Sequence, residues 1–139
     1  MPCMQGQSQI FELVLLFSIS VGIFIVLFVV INTYQEYYST VAVRDQINSV
    51  SSLIASAITE LSVKDGNGSI SLDIPRKAGD RLYGIVLDSN GLNVSTADSE
   101  YFSFSPLYWI NETFTLEGGA VSSEGKIVIN KRGNKINII

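Results

Sequence analysis

The chain offers few of the side chains that enzymes and metal sites most often use. It contains no histidine and one cysteine, Cys3. This composition excludes Cys/His zinc sites, Ser-His-Asp and Cys-His catalytic arrangements, and a disulfide within the chain. No nucleophile–base pair or metal-ligand spacing stands out among the remaining residue types. We therefore predict that the protein is not an enzyme, with no catalytic residues, no bound metal and no cofactor.

Three asparagines have the spacing required for covalent modification. Asn67, Asn93 and Asn111 each begin an Asn-x-Ser/Thr sequon, in which the side-chain amide can accept an N-linked glycan. All three sequons lie after the longest apolar stretch of the chain and none lies before it. We treat them as possible N-glycosylation sites, and their one-sided placement favours an extracytoplasmic C-terminal part.

One carboxylate, that of Glu12, stands at the start of an apolar run. Residues 13–31 carry no charge, and only Ser18, Ser20 and Gly22 among them are neither aliphatic nor aromatic. A helix of this length spans about 30 Å, the thickness of the hydrocarbon core of a bilayer. The run therefore predicts a helix that inserts into a membrane or packs among other apolar helices. The simplest alternative is an ordinary membrane anchor whose glutamate lies at the solvated boundary.

The helix is expected to continue beyond the apolar run. Residues 32–61 contain no glycine or proline, and apolar residues recur there mainly at spacings of three and four, the pattern of one helix face. The predicted face consists of Tyr34, Tyr37, Tyr38, Val41, Ile47, Val50, Ile54, Ala57, Ile58 and Leu61. We predict one helix over residues 7–62, apolar over 10–31 and amphipathic over 32–61.

Residues 63–139 predict a β-rich head. Glycines and an asparagine in the segment KDGNGS end the helix, and short segments of alternating apolar residues follow. Two hairpins are predicted, one around the turn Ser89-Asn90-Gly91 and one around residues 131–134. Together with the other alternating segments they predict six or seven short strands.

Two groups of side chains in the head have alternative interpretations. The aromatic group is expected to pack in the core rather than to stack on a ligand; its members are Phe102, Phe104, Tyr108 and Trp109. The basic group of the last hairpin is expected to form a solvated face, or a contact for a neighbouring head or an acidic envelope; its members are Lys126, Lys131, Arg132 and Lys135. The whole chain has 9 basic and 13 acidic residues, which favours no nucleic-acid partner.

The N-terminal segment resembles a known family. The sequence Gly6-Gln7-Ser8-Gln9-Ile10-Phe11-Glu12, opening an uninterrupted apolar helix, is similar to the N-terminus of type IV pilins and of archaeal pilin-like and archaellin-like proteins, which carry a class III signal peptide. The resemblance implies that residues 1–6 are a leader, which a prepilin peptidase removes between Gly6 and Gln7. It also implies a type IV pilin-like α+β fold, with a long N-terminal helix and a small antiparallel β-sheet head.

Two positions differ from the family pattern. Family members usually have lysine or arginine just before the glycine, where this chain has Gln5. Their glutamate is commonly the fifth residue of the mature chain, whereas Glu12 is the sixth after a cut at Gly6. A cut after Gln7 would make Glu12 the fifth residue but would remove the glycine from the cleavage site.

The resemblance implies a structural function in a cell-surface filament. The precursor is expected to insert into the membrane with its head extracytoplasmic, and the cleaved chain to assemble with copies of itself or related pilins into a helical filament of the pilus or archaellum kind. Glu12 would pair with the new α-amino group of a neighbouring subunit and set the axial register. The alternative is a single-span anchor whose β-domain binds the envelope, as a stator-like module does, without polymerising.

Overall fold

The chain folds into one long helix followed by a seven-stranded sheet, as a computed structural model shows. The backbone is described for residues 3–139 and the side chains for residues 8–139. In chain order the elements are α1 (Cys3–Val63), β1 (Gly68–Asp73), β2 (Tyr83–Asp88), β3 (Gly91–Thr96), β4 (Phe102–Pro106), α2 (Tyr108–Asn111), β5 (Thr115–Val121), a 3-10 helix (Ser122–Glu124), β6 (Lys126–Arg132) and β7 (Lys135–Ile138). The predicted α+β fold class, a long N-terminal helix followed by a small β-sheet head, is confirmed.

Contacts divide the chain into two compact units, Met1–Ser39 and Thr40–Ile139. In the part of the N-terminal unit that the structure describes, every residue is helical. The C-terminal unit contains the last 24 residues of α1, Thr40–Val63, together with the whole sheet. The hydrophobic core of the protein lies in this second unit, because all of its buried apolar residues come from position 43 onward.

The seven strands form a single sheet in the order β1-β6-β7-β5-β2-β3-β4. Neighbouring strands are antiparallel except β5 and β7, which run parallel. Both predicted hairpins are confirmed: β2 and β3 close with Asp88 opposite Gly91, and β6 and β7 close with Arg132 opposite Lys135. The last strand, β7, lies between β5 and β6, so that two strands that follow each other in the sequence are separated in the sheet.

One face of α1 packs in the core with the inner face of the sheet. The buried helix side chains recur at spacings of three and four and are each at most 7% exposed: Val43, Ile47, Val50, Ile54, Ala57, Ile58 and Leu61. The sheet contributes alternate side chains of β2, β3, β6 and β7 to the same core: Ile85, Leu87, Leu92, Val94, Ile127, Ile129, Ile136 and Ile138. Removing this apolar surface from water is the main stabilising contribution to the unit.

The first part of the predicted amphipathic face is wrong. Tyr34, Tyr37 and Tyr38 are exposed, and Val41 is 37% exposed, whereas Val43 is buried. Val43 precedes Ile47 by four residues and therefore lies on the buried stripe, while Val41 precedes it by six and points elsewhere. The face that the core uses thus begins at Val43.

A lysine from the sheet caps the C-terminal end of α1. Lys131 on β6 is only 6% exposed, and its ammonium group donates hydrogen bonds to the backbone carbonyls of Ser62 and Lys64. The same group lies 4.8 Å from the centre of the Phe114 ring. Carbonyls at a helix C-terminus have no partner within the helix and carry partial negative charge, so a cation stabilises them.

This placement corrects the expectation that all four basic residues of the last hairpin form a solvated face. Lys126, Arg132 and Lys135 are exposed. Lys131 lies on the inner face with its neighbours Ile127 and Ile129, because side chains alternate along β6. The charge of Lys131 can be buried there because the carbonyls at the helix end accept hydrogen bonds from its ammonium group.

We predict that Ile54→Ala destabilises the C-terminal unit by about 2–5 kcal/mol, since it removes a fully buried side chain and leaves a cavity. The matched control is Leu53→Ala, one position earlier in α1 on a side chain that is 44% exposed, and its cost should stay below about 1 kcal/mol. Urea unfolding of the full chain in mild detergent, followed by near-ultraviolet circular dichroism, measures both. Equal losses in the two variants would contradict the packing described above.

Candidate functional site

The apolar segment, residues 10–31 of α1, exposes its side chains all round the helix. Every large apolar side chain of the segment is at least 41% exposed, from Ile10 at 65% to Ile31 at 53%. The described part of α1 is long and apolar enough to cross a membrane, with a mean hydropathy of 3.2 in its most apolar window and none of that window buried. In water such a surface is unfavourable, so the segment requires lipid or other apolar helices around it.

The few polar side chains of the segment are compatible with an apolar environment. The hydroxyl groups of Ser18 and Ser20 donate to the carbonyls of Val14 and Leu16, at 2.8 and 2.9 Å. Each bond lies within the helix and spans one turn. The two serines therefore need no hydrogen-bond partner from outside the helix.

Glu12 is the exception, because no side chain among residues 8–139 neutralises it. It lies on the exposed surface of α1 beside Ser8 and Leu15, and among residues 8–139 its carboxylate has no ion pair or hydrogen bond. The nearest basic residue in the sequence is Arg44. A carboxylate at the start of an apolar segment is costly to bury unless a cation or hydrogen-bond donor pairs with it. The partner of Glu12 therefore lies outside residues 8–139, and water, a lipid headgroup and a neighbouring molecule are the candidates.

The predicted cleavage site, Gly6 and Gln7, lies outside the residues whose side chains the structure describes. The cleavage prediction therefore depends on the sequence resemblance alone.

Gly22 leaves a notch in the surface of the apolar segment. The notch lies between Ile19, Ile23 and Val26, and a Cβ added at Gly22 would meet nothing within 4 Å. A glycine inside a helix is less favourable than alanine by about 1 kcal/mol. No contact within the described chain requires a glycine at position 22. A glycine here allows a second helix to approach closely, and we consider this the physical reason for it.

Aromatic side chains follow the apolar segment. Tyr34 and Tyr38 stack with ring centres 6.3 Å apart, and Tyr37 meets Tyr38 edge-on at 5.9 Å. All three rings are exposed. Tyrosine is common where membrane helices leave the hydrocarbon layer, because the ring is apolar and the hydroxyl is polar.

The three sequon asparagines are all exposed but differ in their surroundings. The Oδ1 of Asn67 accepts a hydrogen bond of 2.9 Å from the backbone N–H of Gly133, which ties the end of α1 to the β6–β7 turn. Asn111 is the last residue of the short helix α2. Asn93 lies on β3, on the face of the sheet turned away from the core, and its side chain makes no hydrogen bond within the described chain.

The expectation that the aromatic group packs in the core is wrong. Phe102, Phe104, Tyr108 and Trp109 are between 46% and 70% exposed. On β4 the two phenylalanines alternate with Ser103 and Ser105, and the serines are the residues that face the core.

The reason lies in the close contact between β4 and α1. The hydroxyl of Ser105 makes a 2.9 Å hydrogen bond with that of Ser51, which is 1% exposed on the helix. A phenylalanine at position 105 would not fit this contact, so β4 takes the register that places its small residues inward. Ser103 and Ser105, which alternate with the two phenylalanines, are the signal in the sequence that indicates this register.

An open groove lies beside this contact in the C-terminal unit. One wall of the groove consists of residues 105–107 and Trp109. The other wall consists of small residues of α1: Ser52, Ala55, Ser56 and Thr59. Nothing in the described chain fills it, and it contains no group of side chains that forms a metal site.

A charged cluster holds the turn between β3 and β4. The guanidinium of Arg81 bridges the carboxylates of Asp98 and Glu100 and lies 5.2 Å from the centre of the Tyr101 ring. A hydrogen bond from the hydroxyl of Thr96 lowers the pKa of Asp98, and one from Arg81 lowers the pKa of Glu100. The cluster is exposed, so its ion pairs contribute little to the stability of the turn.

Comparisons of the chain with protein-family models, with curated proteins and with solved structures give no match.

We predict that Arg81→Gln raises the pKa of Glu100 more than that of Asp98, because Arg81 is the largest cause of the shift only for Glu100. Thr96→Val should do the reverse. Since both pKa values are lowered in the folded protein, the carboxylates stabilise the turn above their ordinary pKa values, and this contribution is lost as the pH falls through the folded ones. A carboxyl-carbon NMR titration of the two variants measures the shifts. Equal shifts at both residues in either variant would contradict the assignment.

Proposed function

We propose that this protein is a structural subunit of a cell-surface filament, held together by the apolar segments of many copies. The observation that carries the proposal is an apolar helix whose side chains are exposed all round, with one unpaired carboxylate at its start. Membrane insertion alone accounts for the apolar surface. It gives no reason for the glutamate, which a plain anchor does not need.

The apolar segment supplies the cohesion in this proposal. Burying one large aliphatic or aromatic side chain contributes about 1.5–3 kcal/mol, and the segment carries such side chains at most of its positions. Copies of α1 packed against each other would bury them as effectively as lipid does. The notch at Gly22 supports close approach between helix backbones.

Glu12 gives the packing its register. Its carboxylate has no cation within the described chain, so in a bundle of apolar helices it needs one from a neighbouring copy. The resemblance to pilins supplies the candidate, the α-amino group that cleavage between Gly6 and Gln7 would create. Only one axial offset between two copies brings this amine to Glu12, in the way that one buried polar residue selects the register of a coiled coil.

The resulting contact is between two different parts of the same protein, the start of one helix and the side of another. Such a heterologous contact repeats without closing unless the rotation between copies happens to complete a ring, and it therefore generates open helical filaments. In this arrangement the sheet and its loops form the outer surface. The proposal places the head outside the cytoplasm, where the three sequons are accessible to glycosylation.

An anchored binding module is the second candidate function. The observations that favour it are the exposed aromatic group of the head and the groove beside Trp109, either of which is suited to holding a partner in the envelope. This candidate needs one membrane span, no peptidase and no contact between copies of the apolar segment.

We predict that the chain isolated from native membranes or sheared surface material begins at Gln7. Cleavage after Gly6 removes the leader and leaves the apolar segment in the mature protein, and the mass of the N-terminal peptide measures it. A chain that still begins with Met1 would contradict the filament proposal and favour the anchored module. A chain that begins at Ser8 would keep peptidase processing and place Glu12 fifth.

We predict that Glu12→Gln lowers the yield of assembled filaments at least about tenfold while the protein still inserts into the membrane, because removing one member of a buried ion pair leaves the other unpaired. Glu124→Gln is the matched control, since it removes one carboxylate from an exposed position of the head. Sheared filaments and membrane-bound subunits are quantified in the same cells. Filament yield unchanged by Glu12→Gln would show that this carboxylate does not direct assembly.

A further inference from the structure

The outer face of the sheet, turned away from α1, carries an exposed apolar patch on β2–β5. The patch consists of Phe102, Phe104, Val86 and Val121, which are 70%, 46%, 51% and 55% exposed. Strand register places them side by side in two rows across the strands, one reading Gly119, Val86, Asn93, Phe104 and the other reading Val121, Gly84, Ser95, Phe102. None of these eight positions is charged, and the polar positions among them are Asn93 and Ser95, so most of the patch is surface on which water is unfavourable.

Asn93 lies in the middle of this patch. It is directly opposite Phe104 on one side and directly opposite Val86 on the other. It also begins the sequon Asn93-Val94-Ser95, and because side chains alternate along β3, Asn93 and Ser95 both lie on the outer face. The modifiable amide and the sequon hydroxyl are therefore on the same accessible side of the sheet.

The other two sequons lack this combination. The Oδ1 of Asn67 accepts a hydrogen bond from the backbone N–H of Gly133, which holds this side chain against the β6–β7 turn and restricts its approach to a transferase, although Nδ2 itself is not engaged. Asn111 ends α2 and has no strand neighbours on a flat apolar face. Asn93 makes no hydrogen bond within the described chain, so its amide is available without loss of a structural contact.

We propose that Asn93 carries an N-linked glycan that covers the apolar patch of the outer sheet face. In this step the bond between the anomeric carbon and a phosphate oxygen of a lipid-linked glycosyl phosphate breaks, and a bond from that carbon to Nδ2 of Asn93 forms. The amide loses one proton to a base of the transferase, and the lipid phosphate leaves with the bonding electron pair. Nothing is oxidised or reduced.

A sugar fits this surface better than a second protein does. One face of a pyranose ring presents C–H groups that pack on aromatic rings, and Phe104 is the residue opposite Asn93 on β4. A protein surface docked on the same patch would have to supply a hydrogen-bond partner to the Asn93 amide, since burying that amide unpaired is costly. Attachment of the sugar instead uses that nitrogen and leaves the hydroxyl groups of the glycan in water.

The proposal rests on the proposed function in one respect, since glycosylation requires the head to be extracytoplasmic. One digest of the native protein separates the two. A protease that cuts before aspartate releases residues 88–97 with Asn93 as their only sequon and residues 65–72 with Asn67 as theirs. Mass spectrometry should find residues 88–97 with an added glycan in most molecules, and residues 65–72 largely unmodified.

The N-terminal peptide of the same digest tests the proposed function independently. An unmodified Asn93 in chains that begin at Gln7 overturns the glycan and leaves the filament intact. An unmodified Asn93 in chains that begin at Met1 overturns both. A modified Asn93 in chains that begin at Met1 supports the glycan together with the anchored module.

The covering role is tested with variants of the full chain made in the native cells. Asn93→Gln should raise the binding of an apolar fluorescent dye by the protein in native membranes or filaments, where the apolar segment is covered, whereas Asn67→Gln, which also removes a sequon, should not. Adding Phe102→Ser and Phe104→Ser to Asn93→Gln should return dye binding to the level of the unchanged protein. If Asn93→Gln leaves dye binding unchanged, the glycan does not cover the patch; if filament assembly shields Phe104 in that variant, a second copy is the occupant.

Discussion

The structure depends above all on the packing of one stripe of α1 against one face of the sheet. The stripe, from Val43 to Leu61, supplies the helix half of the core, and the sheet has no other helix of comparable length to cover it. Without this contact the inner sides of β2, β3, β6 and β7 would lie open to water. The same helix therefore serves two purposes at different points along its length: one part folds the head, and residues 10–31 provide the surface that we assign to assembly.

The sheet in turn stabilises the C-terminal end of α1. Lys131 reaches from β6 to the last carbonyls of α1, and Asn67 joins the chain after α1 to the turn at Gly133. Both contacts link residues more than sixty positions apart in the sequence. The helix end is thus defined by tertiary contacts as well as by the glycine that follows it, and its position is tied to the last hairpin.

The features that could be predicted from the sequence are those with local signals. The long helix follows from its apolar and three-four periodicity, and the two hairpins follow from their turn residues. The inward serines of β4, the buried Lys131 and the place of β7 in the sheet could not be predicted in this way. Each depends on what a distant segment offers: Ser51 on the helix, the free carbonyls of α1, and a gap between two other strands. For the candidate site, Glu12 was identified by its contrast with its neighbours, and its partner stays a prediction because no residue among 8–139 pairs with it.

The position of β7 also constrains how the head is made. During synthesis from the N-terminus, β5 and β6 emerge before the strand that joins them, and they cannot hydrogen-bond to each other across the gap that β7 later fills. Two of the seven strands, β1 and β6, stay detached from β2–β5 until residues 135–138 arrive. Strands that are far apart in the chain pair slowly, so we expect the insertion of β7 to be a slow folding step. The head therefore cannot become rigid before β7 has been synthesised and inserted between β5 and β6.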